Sequence, residues 1–322
     1  MPADRASPAP VVLFAGDPED RDVYRDTISR AAEAAGQAIH LVMAPEDVEP
    51  DAVDYLVLAP SGPVKDFAPF TGLKAILNLW AGVEQALALP LPEGVPLVRM
   101  VEEGLTEGML DYVTGHVMRH HLDVDRWIAT VPPVPWARGA PPLARDRRVT
   151  VLGLGALGTA CARRLVANGF AVTGWARRAR EIEGVRCLAG VEGLGPALDG
   201  AEILVLLLPQ TPATRHVLDA GALGRLAPGA AVINAGRGPL IDDDALLAAL
   251  DRGQVGHATL DVFDVEPLPE DHPYWRHPRV TVTPHIASVT RPATASVSLI
   301  AQIRRGEAGE PFKHVVHRGD GY

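Results

Sequence analysis

The stretch VLGLGALG, residues 151–158, decides the fold of the second part of this chain. It sets Gly153, Gly155 and Gly158 in the Gly-x-Gly-x-x-Gly spacing, after a short apolar run and before the helical segment ALGTACARRLVANG. In such a strand-turn-helix unit, the first glycine permits a tight turn, the second lets a pyrophosphate approach the backbone, and the third lets the helix pack on the strand. The N–H groups at the helix N-terminus then face the phosphates. The spacing predicts a dinucleotide site, and a merely structural turn is the alternative.

Short apolar runs alternate with helical or loop segments along the whole chain. Those before the glycine motif are VVLFAG (11–16), IHLVM (39–43), DYLVLA (54–59) and KAILNLW (74–80). Those from the motif onward are RVTVLGLG, AVTGW, EILVLLLP, AAVINAG, HATLDV and RVTVTP. Alternating strands and helices predict parallel sheets covered on both faces. A helix is expected over 109–129 and a proline-rich connector over 131–142, so the pattern indicates two doubly wound α/β domains.

Composition excludes several classes of protein. The chain has 322 residues, is 47% hydrophobic and carries a formal charge of -10, which argues against nucleic acid or an anionic membrane as the main partner. Cys161 and Cys187 are the only cysteines and lack metal-ligand spacing, which indicates a reduced, cytoplasmic protein. The RHH segment at 119–121 lacks the histidine spacing of a zinc site, so we expect a solvated helix face and no metal. The apolar runs are far shorter than the roughly 20 residues of a membrane span.

The segment GWARRAR, residues 174–180, follows the second strand of the predicted dinucleotide unit. An acid usually stands there and binds the ribose hydroxyls. Here the residues are Ala176, Arg177 and Arg178, which leave room for a 2'-phosphate and supply bidentate positive donors. The segment therefore favours NADP(H) over NAD(H), with an ordinary solvated charged loop as the alternative.

Three residues suited to hydride chemistry follow later strands. Arg237 lies in NAGRG, Glu266 in DVFDVEPLP and His285 in VTPHIA. The carboxyl ends of parallel strands meet at one edge of the sheet, where open α/β folds bind ligands. A guanidinium can hold a carboxylate or polarise a ketone, and a histidine next to a carboxylate can donate a proton. Taken singly, each residue also fits a structural or solvated role.

The segments VLGLGALG, LPQTPAT, INAGRGPLIDDDALLAAL, LDVFDVEPLP and TPHIA together resemble the D-isomer-specific 2-hydroxyacid dehydrogenase family. GWARRAR, PYWRHPRVTVTPHIASVTRP and the final RGDGY are similar to its bacterial glyoxylate/hydroxypyruvate reductase A branch. The resemblance runs from about residue 74 to the end. It implies a flavodoxin-like substrate domain over 1–108 and 290–322, a Rossmann cofactor domain over 109–289, and a cleft between them.

The resemblance also implies roles for particular residues. His285 would be the acid/base, Glu266 its partner and Arg237 the substrate anchor. The loop LWAGVE would bind the substrate carboxylate through the N–H groups of Ala81 and Gly82. The pocket would be completed by Trp80, Trp275 and Arg276, of which Trp80 departs from the family pattern by standing where a small residue is usual. The expected cofactor-binding residues are Gly153, Gly155, Ala156, Leu157, Gly158, Ala176, Arg177, Arg178, Leu208, Pro209, Thr214, Ala235, Gly236, Arg237, Asp261, His285 and Ala287.

These observations predict an NADPH-dependent reductase of a small 2-oxo acid, with glyoxylate or hydroxypyruvate and a homodimer implied by the resemblance. Two alternatives stay open at this point. One is a nucleotide-sensing binding protein, like the corepressors that share this fold. The other is a dehydrogenase for a larger 2-oxo acid. The fold alone does not separate them.

Overall fold

The computed structural model describes residues 8–128 and 139–318, which form two compact units. The first unit contains residues up to Leu105 and from Thr290 onward, and the second contains Thr106–Val289. Most of the predicted connector and the last residues of RGDGY lie outside the described residues. Within the described ranges, no helix has both the length and the apolar character needed to cross a membrane.

The elements are numbered here in chain order. The strands are β1 Val11–Ala15, β2 His40–Val42, β3 Tyr55–Leu58, β4 Ala75–Asn78, β5 Leu97–Val98, β6 Arg148–Leu152, β7 Ala171–Ala176, β8 Val185–Ala189, β9 Ile203–Leu206, β10 Ala230–Asn234, β11 Val255–Leu260 and β12 Val280–Val282. The α-helices are α1 Arg21–Ala35, α2 Glu84–Leu87, α3 Glu103–His121, α4 Val124–Ile128, α5 Ala156–Ala167, α6 Gly190–Leu198, α7 Ala220–Arg225, α8 Asp243–Asp251 and α9 Pro292–Glu307.

The first unit is built on a five-stranded sheet in the order β2-β1-β3-β4-β5 with every pair parallel. This is the flavodoxin-like order, in which the chain reverses direction of winding between β1 and β3. Helices α1 and α9 pack together, and Leu299, Ile300 and Ile303 of α9 are buried in the same core as Ile28 of α1. The last helix of the chain therefore completes the core that the first helix begins.

The second unit is built on a seven-stranded parallel sheet in the order β12-β11-β10-β9-β6-β7-β8. Strands β6 to β11 follow the Rossmann order, and β12 extends that sheet by one strand. The alternating pattern predicted each of these strands except β8, a half-exposed edge strand that carries Arg186 and Cys187. The expected fold class, two doubly wound parallel α/β sheets, is confirmed.

The single helix predicted over 109–129 is wrong in its bounds. Helix α3 already begins at Glu103, because the buried carboxylate of Glu102 accepts hydrogen bonds from the N–H groups of Gly104 at 2.6 Å and Leu105 at 2.7 Å. It ends at His121, and Asp123 adopts a left-handed φ of 54° before α4 starts. Residue 129 lies outside the described residues.

The expectation of a solvated face at 119–121 is also wrong. His121 is 7% exposed, and Nε2 of His120 lies 3.0 Å from Oγ1 of Thr259 on β11. Arg119 forms an ion pair with Asp125 of α4. Burial lowers the pKa of His120 to about 3, so this side chain is neutral in the folded protein. The end of α3 thus packs onto the sheet through polar side chains, which a search for apolar periodicity does not detect.

Candidate active site

The glycine motif forms the tight turn that its spacing predicts. Gly153 follows β6 with a φ of 105°, and a Cβ there would lie 2.6 Å from the carbonyl oxygen of Leu207. A Cβ on Gly158 would overlap the carbonyl oxygen of Gly153. These two positions therefore require glycine, the first for backbone conformation and the second for the close approach of α5 to the turn.

The third glycine, Gly155, has a different environment. It is the N-cap residue of α5, offers no side chain to the helix N-terminus, and a Cβ built on it would meet nothing within 4 Å. The N–H groups of Ala156, Leu157 and Gly158 begin the helix and have no acceptor within it. A helix N-terminus with a bare backbone in front of it fits the pyrophosphate of a dinucleotide.

The strand next to this turn carries the predicted ribose-phosphate site. Strand β7 pairs with β6, and the N–H of Gly153 donates to the carbonyl oxygen of Trp175 at 2.8 Å. Ala176 ends β7 and is half-buried, whereas Arg177 and Arg178 are exposed. The two arginines therefore follow directly on the strand that flanks the glycine turn.

The segment after β9 closes the other side of the turn. The backbone of Leu207 lies against Gly153, and Leu208 is 7% exposed. The hydroxyl of Thr214 donates to the carbonyl oxygen of Pro209 at 2.7 Å and accepts from the N–H of Thr211 at 2.8 Å. These bonds hold Leu208, Pro209 and Thr214 in one loop beside the glycine turn.

Arg237 follows β10 in a loop fixed by a buried asparagine. Asn234, the last residue of the strand, is 1% exposed. Its Nδ2 donates to the carbonyl oxygen of Arg237 at 2.9 Å, and its Oδ1 accepts from the N–H of Gly236 at 3.1 Å. Nη1 of Arg237 donates to the carbonyl oxygen of Gly236 at 2.7 Å. The predicted substrate anchor thus has a constrained backbone, with Ala235 and Gly236 buried behind it.

The loops after β10 and β11 are in close contact. A Cβ on Gly238 would overlap the carbonyl carbon of Phe263, so the chain after Arg237 passes directly against the segment that contains Glu266. Oε1 of Glu266 accepts from the N–H of Phe263 at 2.9 Å. The loop therefore holds its own carboxylate in place.

His285 and Glu266 are brought together as the sequence predicts. His285 Nδ1 lies 2.8 Å from Glu266 Oε2. The side chain of His285 is 51% exposed and that of Glu266 is 35% exposed, so the pair faces open space at the sheet edge. His285 has a φ of 54°, and its N–H donates to the carbonyl oxygen of Asp261 at 2.9 Å.

Asp261 holds the chain on both sides of His285. It is fully buried, and its Oδ1 accepts from the hydroxyl of Thr283 at 2.6 Å and from the N–H of Ile286 at 2.9 Å. Its Oδ2 accepts from the N–H of Ala287 at 2.9 Å. The sequence suggested a cofactor contact for Asp261 and Ala287, and the structure shows a carboxylate that fixes the histidine loop.

The predicted substrate loop belongs to the first unit. Trp80 is half-buried and packs against the core of that unit together with Ala81, and Gly82 follows them. Trp275 belongs to the second unit, where its indole Nε1 donates to the carbonyl oxygen of Pro269 at 2.9 Å and half of the residue is exposed.

Comparison with known proteins identifies the family of this chain. Residues 116–287 match the family described as D-isomer specific 2-hydroxyacid dehydrogenase, NAD binding domain. The chain is 42% identical over 250 residues to glyoxylate/hydroxypyruvate reductase A of Serratia proteamaculans, a match that covers 76% of this chain and 80% of that protein. This chain belongs to the D-isomer specific 2-hydroxyacid dehydrogenase family.

Solved structures resemble this dehydrogenase over nearly its full length. The D-isomer specific 2-hydroxyacid dehydrogenase of Xanthobacter autotrophicus Py2, in complex with NADPH and MES, has a TM-score of 0.90 at 38% identity and covers 98% of this chain and 100% of its own. The NADPH-dependent glyoxylate/hydroxypyruvate reductase of Sinorhizobium meliloti, in complex with NADP and sulfate, has a TM-score of 0.84 at 34% identity with the same coverage. The family match and the glycine turn show that this dehydrogenase takes a nicotinamide nucleotide.

Sequence reasoning missed two residues of this dehydrogenase that shape its loops. Asn234 ends β10 and Asn78 ends β4, and both side chains are 1% exposed. The feature of the sequence that could have identified both residues is a single amide side chain at the carboxyl end of an otherwise apolar strand. Such a residue is easily taken for the first residue of a loop, although here its side chain turns inward and bonds the adjoining loop.

Proposed function

We propose that this dehydrogenase uses NADPH to reduce a small 2-oxo acid, glyoxylate or hydroxypyruvate, to the 2-hydroxy acid. The observation that carries the proposal is the arrangement of Arg237, Glu266 and His285 after three successive strands of the sheet whose first turn fits a dinucleotide. The relatives named glyoxylate/hydroxypyruvate reductase A support this choice of substrate.

The preference for NADPH rests on the end of β7. Ala176 offers no carboxylate to repel a 2'-phosphate, and Arg177 and Arg178 are exposed directly after it. Guanidinium groups bind phosphate through two parallel charge-assisted hydrogen bonds. The relatives solved with NADPH or NADP support the same preference.

The residues supply the remaining chemistry. A bound nicotinamide provides the hydride that adds to C2 of the 2-oxo acid, and a proton must reach the ketone oxygen to give the 2-hydroxy acid. Arg237 is cationic at any working pH and can polarise the ketone while it holds the carboxylate. His285 can deliver the proton, and the carboxylate of Glu266 at 2.8 Å orients the imidazole.

The other residues predicted from the sequence would contact the substrate or the nucleotide. Trp80, Ala81 and Gly82 would meet the substrate, with the N–H groups of the loop toward its carboxylate. Trp275 would border the substrate. The nucleotide would be surrounded by the glycine turn, Ala176 to Arg178, Leu208, Pro209, Thr214, Ala235 and Gly236. Asp261 would hold the loop with His285 and Ala287 beside it.

A homodimer and a cytoplasmic location belong to the same proposal. The turn after α3 exposes Leu122, and α4 exposes Trp127 and Ile128, the last at 74% exposure. A second copy of the chain would cover these three side chains. Both cysteines, Cys161 and Cys187, are free thiols, which suits a reducing compartment.

Turnover with a panel of 2-oxo acids tests the proposed function. The full chain is mixed with NADPH and glyoxylate, hydroxypyruvate, pyruvate or a branched 2-oxo acid, and NADPH oxidation is followed against a reaction without the oxo acid. We expect the highest kcat/KM with glyoxylate or hydroxypyruvate. A preference for the branched acid would identify a dehydrogenase of larger substrates, and no turnover with any acid would favour a nucleotide-sensing protein.

A further inference from the structure

Asn78 places a buried amide under the predicted substrate loop. It is the last residue of β4 and is 1% exposed among apolar neighbours. Its Nδ2 donates to the carbonyl oxygen of Trp80 at 2.7 Å and to that of Gly82 at 3.0 Å. The two hydrogens of a single amide group are thus directed to two carbonyl groups of the loop after the strand.

An asparagine at this position also carries a stability cost. Its Oδ1 is buried and finds no hydrogen-bond partner among the described residues. A buried acceptor without a partner lowers the stability of a protein, and an apolar side chain of similar volume would avoid that cost. What the amide provides in return is a fixed conformation of the Trp80–Gly82 loop.

The orientation of the loop depends on the planar peptide bond. In a trans peptide, the carbonyl oxygen of one residue and the N–H of the next point in opposite directions. Because the carbonyl groups of Trp80 and Gly82 point toward Nδ2 of Asn78, the N–H groups of Ala81 and Val83 point away from it. Across residues 8–128 and 139–318, no acceptor is found for either of these N–H groups.

Two further bonds hold the same loop. The N–H of Met100 donates to the carbonyl oxygen of Trp80 at 3.3 Å, and the hydroxyl of Thr290 donates to that of Leu79 at 3.0 Å. Neither of these bonds reaches Gly82. The amide of Asn78 bonds both ends of the turn, at Trp80 and at Gly82.

We propose that Asn78 is a positioning residue that sets the N–H groups of Ala81 and Val83 toward the substrate carboxylate before the substrate binds. Val83 thereby takes the place of Gly82, which the family resemblance implied as the second donor. The inference rests on the proposed function, in which this loop receives that carboxylate. Donors that are already oriented bind an anion without the entropic cost of ordering a loop. Loss of the amide therefore weakens substrate binding more than it weakens the chemical step or cofactor binding.

Asn78→Leu tests the inference, because leucine has a similar volume and lacks both the donors and the unpartnered oxygen. We expect KM for glyoxylate to rise about tenfold or more and KM for NADPH to change less than about twofold. Loss of the two hydrogen bonds to Trp80 and Gly82 should also lower Tm, so the KM effect is compared with that of an equally destabilised control. Leu56→Ala in the neighbouring strand β3 is the control: its side chain lies on the same face of the sheet as Asn78 and is fully buried, so the variant should lower Tm and leave KM for glyoxylate unchanged.

Asn78→Asp is the second variant, and it tests the inference if Asn78→Leu does not fold. The isosteric carboxylate faces the two carbonyl oxygens, so KM for glyoxylate should rise at least as far. Should the wild type fail to reduce any 2-oxo acid, the proposed function and this inference fall together. If the wild type reduces glyoxylate and both Asn78 variants keep its KM, the proposed function stands and Asn78 has no positioning role.

Discussion

Nδ1 of His285 lies 2.8 Å from Oε2 of Glu266, while the other oxygen of that carboxylate accepts from the N–H of Phe263 at 2.9 Å. An ionised carboxylate only accepts hydrogen bonds, so Nδ1 carries the hydrogen of this contact. Nε2 is consequently the ring nitrogen that this contact leaves available for the proton transfer proposed above. The hydrogen bond from the N–H of Phe263 fixes the carboxylate of Glu266, and this carboxylate in turn fixes the orientation of the His285 imidazole.

His285→Ala should lower kcat by about 10²-fold or more, which is the usual contribution of a general acid. The affinity for NADPH, measured by fluorescence titration, should stay close to that of the wild type, because the glycine turn is untouched. His40→Ala, at an exposed position of β2, serves as the matched control and should behave as the wild type. Near-normal turnover of His285→Ala would remove this residue from the mechanism.

Asp261→Asn should impair both activity and stability. An amide in place of the carboxylate points an NH2 group at N–H donors of the His285 loop, so at least one of the bonds to Thr283, Ile286 and Ala287 is lost. We expect the free energy of unfolding to fall by about 1–3 kcal/mol and kcat to fall by about tenfold or more. Denaturant titration and steady-state kinetics measure the two effects. Wild-type values of both would show that the loop does not depend on Asp261.

Features of the fold and the site that obey local rules could be predicted from the sequence. The glycine turn was predictable because Gly153 and Gly158 have backbone and packing requirements that no other residue meets. The meeting of His285 and Glu266 was predictable because consecutive parallel strands end at one edge of a sheet. Each of these inferences needs only a short window of sequence and the rules of parallel sheets.

The features that escaped prediction depend on contacts between distant parts of the chain. Strand β5 is two residues long, and β8 is a half-exposed edge strand, so neither shows an apolar run. The burial of His120 depends on Thr259, which is remote in sequence. The amides of Asn78 and Asn234 turn inward because the adjoining loops curl back over them, and side-chain direction of that kind leaves no periodic signal.

Trp80→Gly should shift substrate preference toward 2-oxo acids with longer side chains. The indole is half-buried against the core of the first unit, so its removal frees volume beside Ala81 and also costs stability. We expect the ratio of kcat/KM for a branched 2-oxo acid to that for glyoxylate to rise by about 10-fold or more. Trp80→Phe, which keeps a ring, should largely preserve the original ratio. An unchanged ratio in Trp80→Gly would mean that the indole does not limit the substrate.

The protein should lose stability in mild acid through His120. The pKa of this side chain is about 3 in the folded protein, because burial disfavours the charged ring, against 6.5 for an ordinary histidine. Below pH 6.5 the unfolded chain takes up a proton that the folded chain does not, so the free energy of unfolding falls as pH falls, by up to about 1.4 kcal/mol per pH unit. Denaturant titrations between about pH 7 and pH 5 should show a shallower dependence for His120→Gln than for the wild type. Equal slopes in both proteins would contradict the buried, neutral state of His120.

The cofactor preference should reside in the arginines after β7. A 2'-phosphate carries close to two negative charges, and charge-assisted hydrogen bonds of about 1.5–3 kcal/mol each would make two arginines worth roughly 10²-fold in preference for NADPH. Replacing Arg177 and Arg178 together with alanine should raise KM for NADPH strongly and KM for NADH little. Arg180→Ala, a third exposed arginine of the same segment, tests whether the effect is specific to these positions.

The ratio of kcat/KM with NADPH to kcat/KM with NADH, measured on the unmodified chain with glyoxylate as substrate, is the most direct test of an NADPH-dependent 2-oxo acid reductase. We predict measurable reduction of glyoxylate and a ratio of about 10² or more. A ratio near or below one would contradict the assignment of the 2'-phosphate to Arg177 and Arg178. The absence of glyoxylate and hydroxypyruvate turnover with either cofactor would contradict the assigned activity itself.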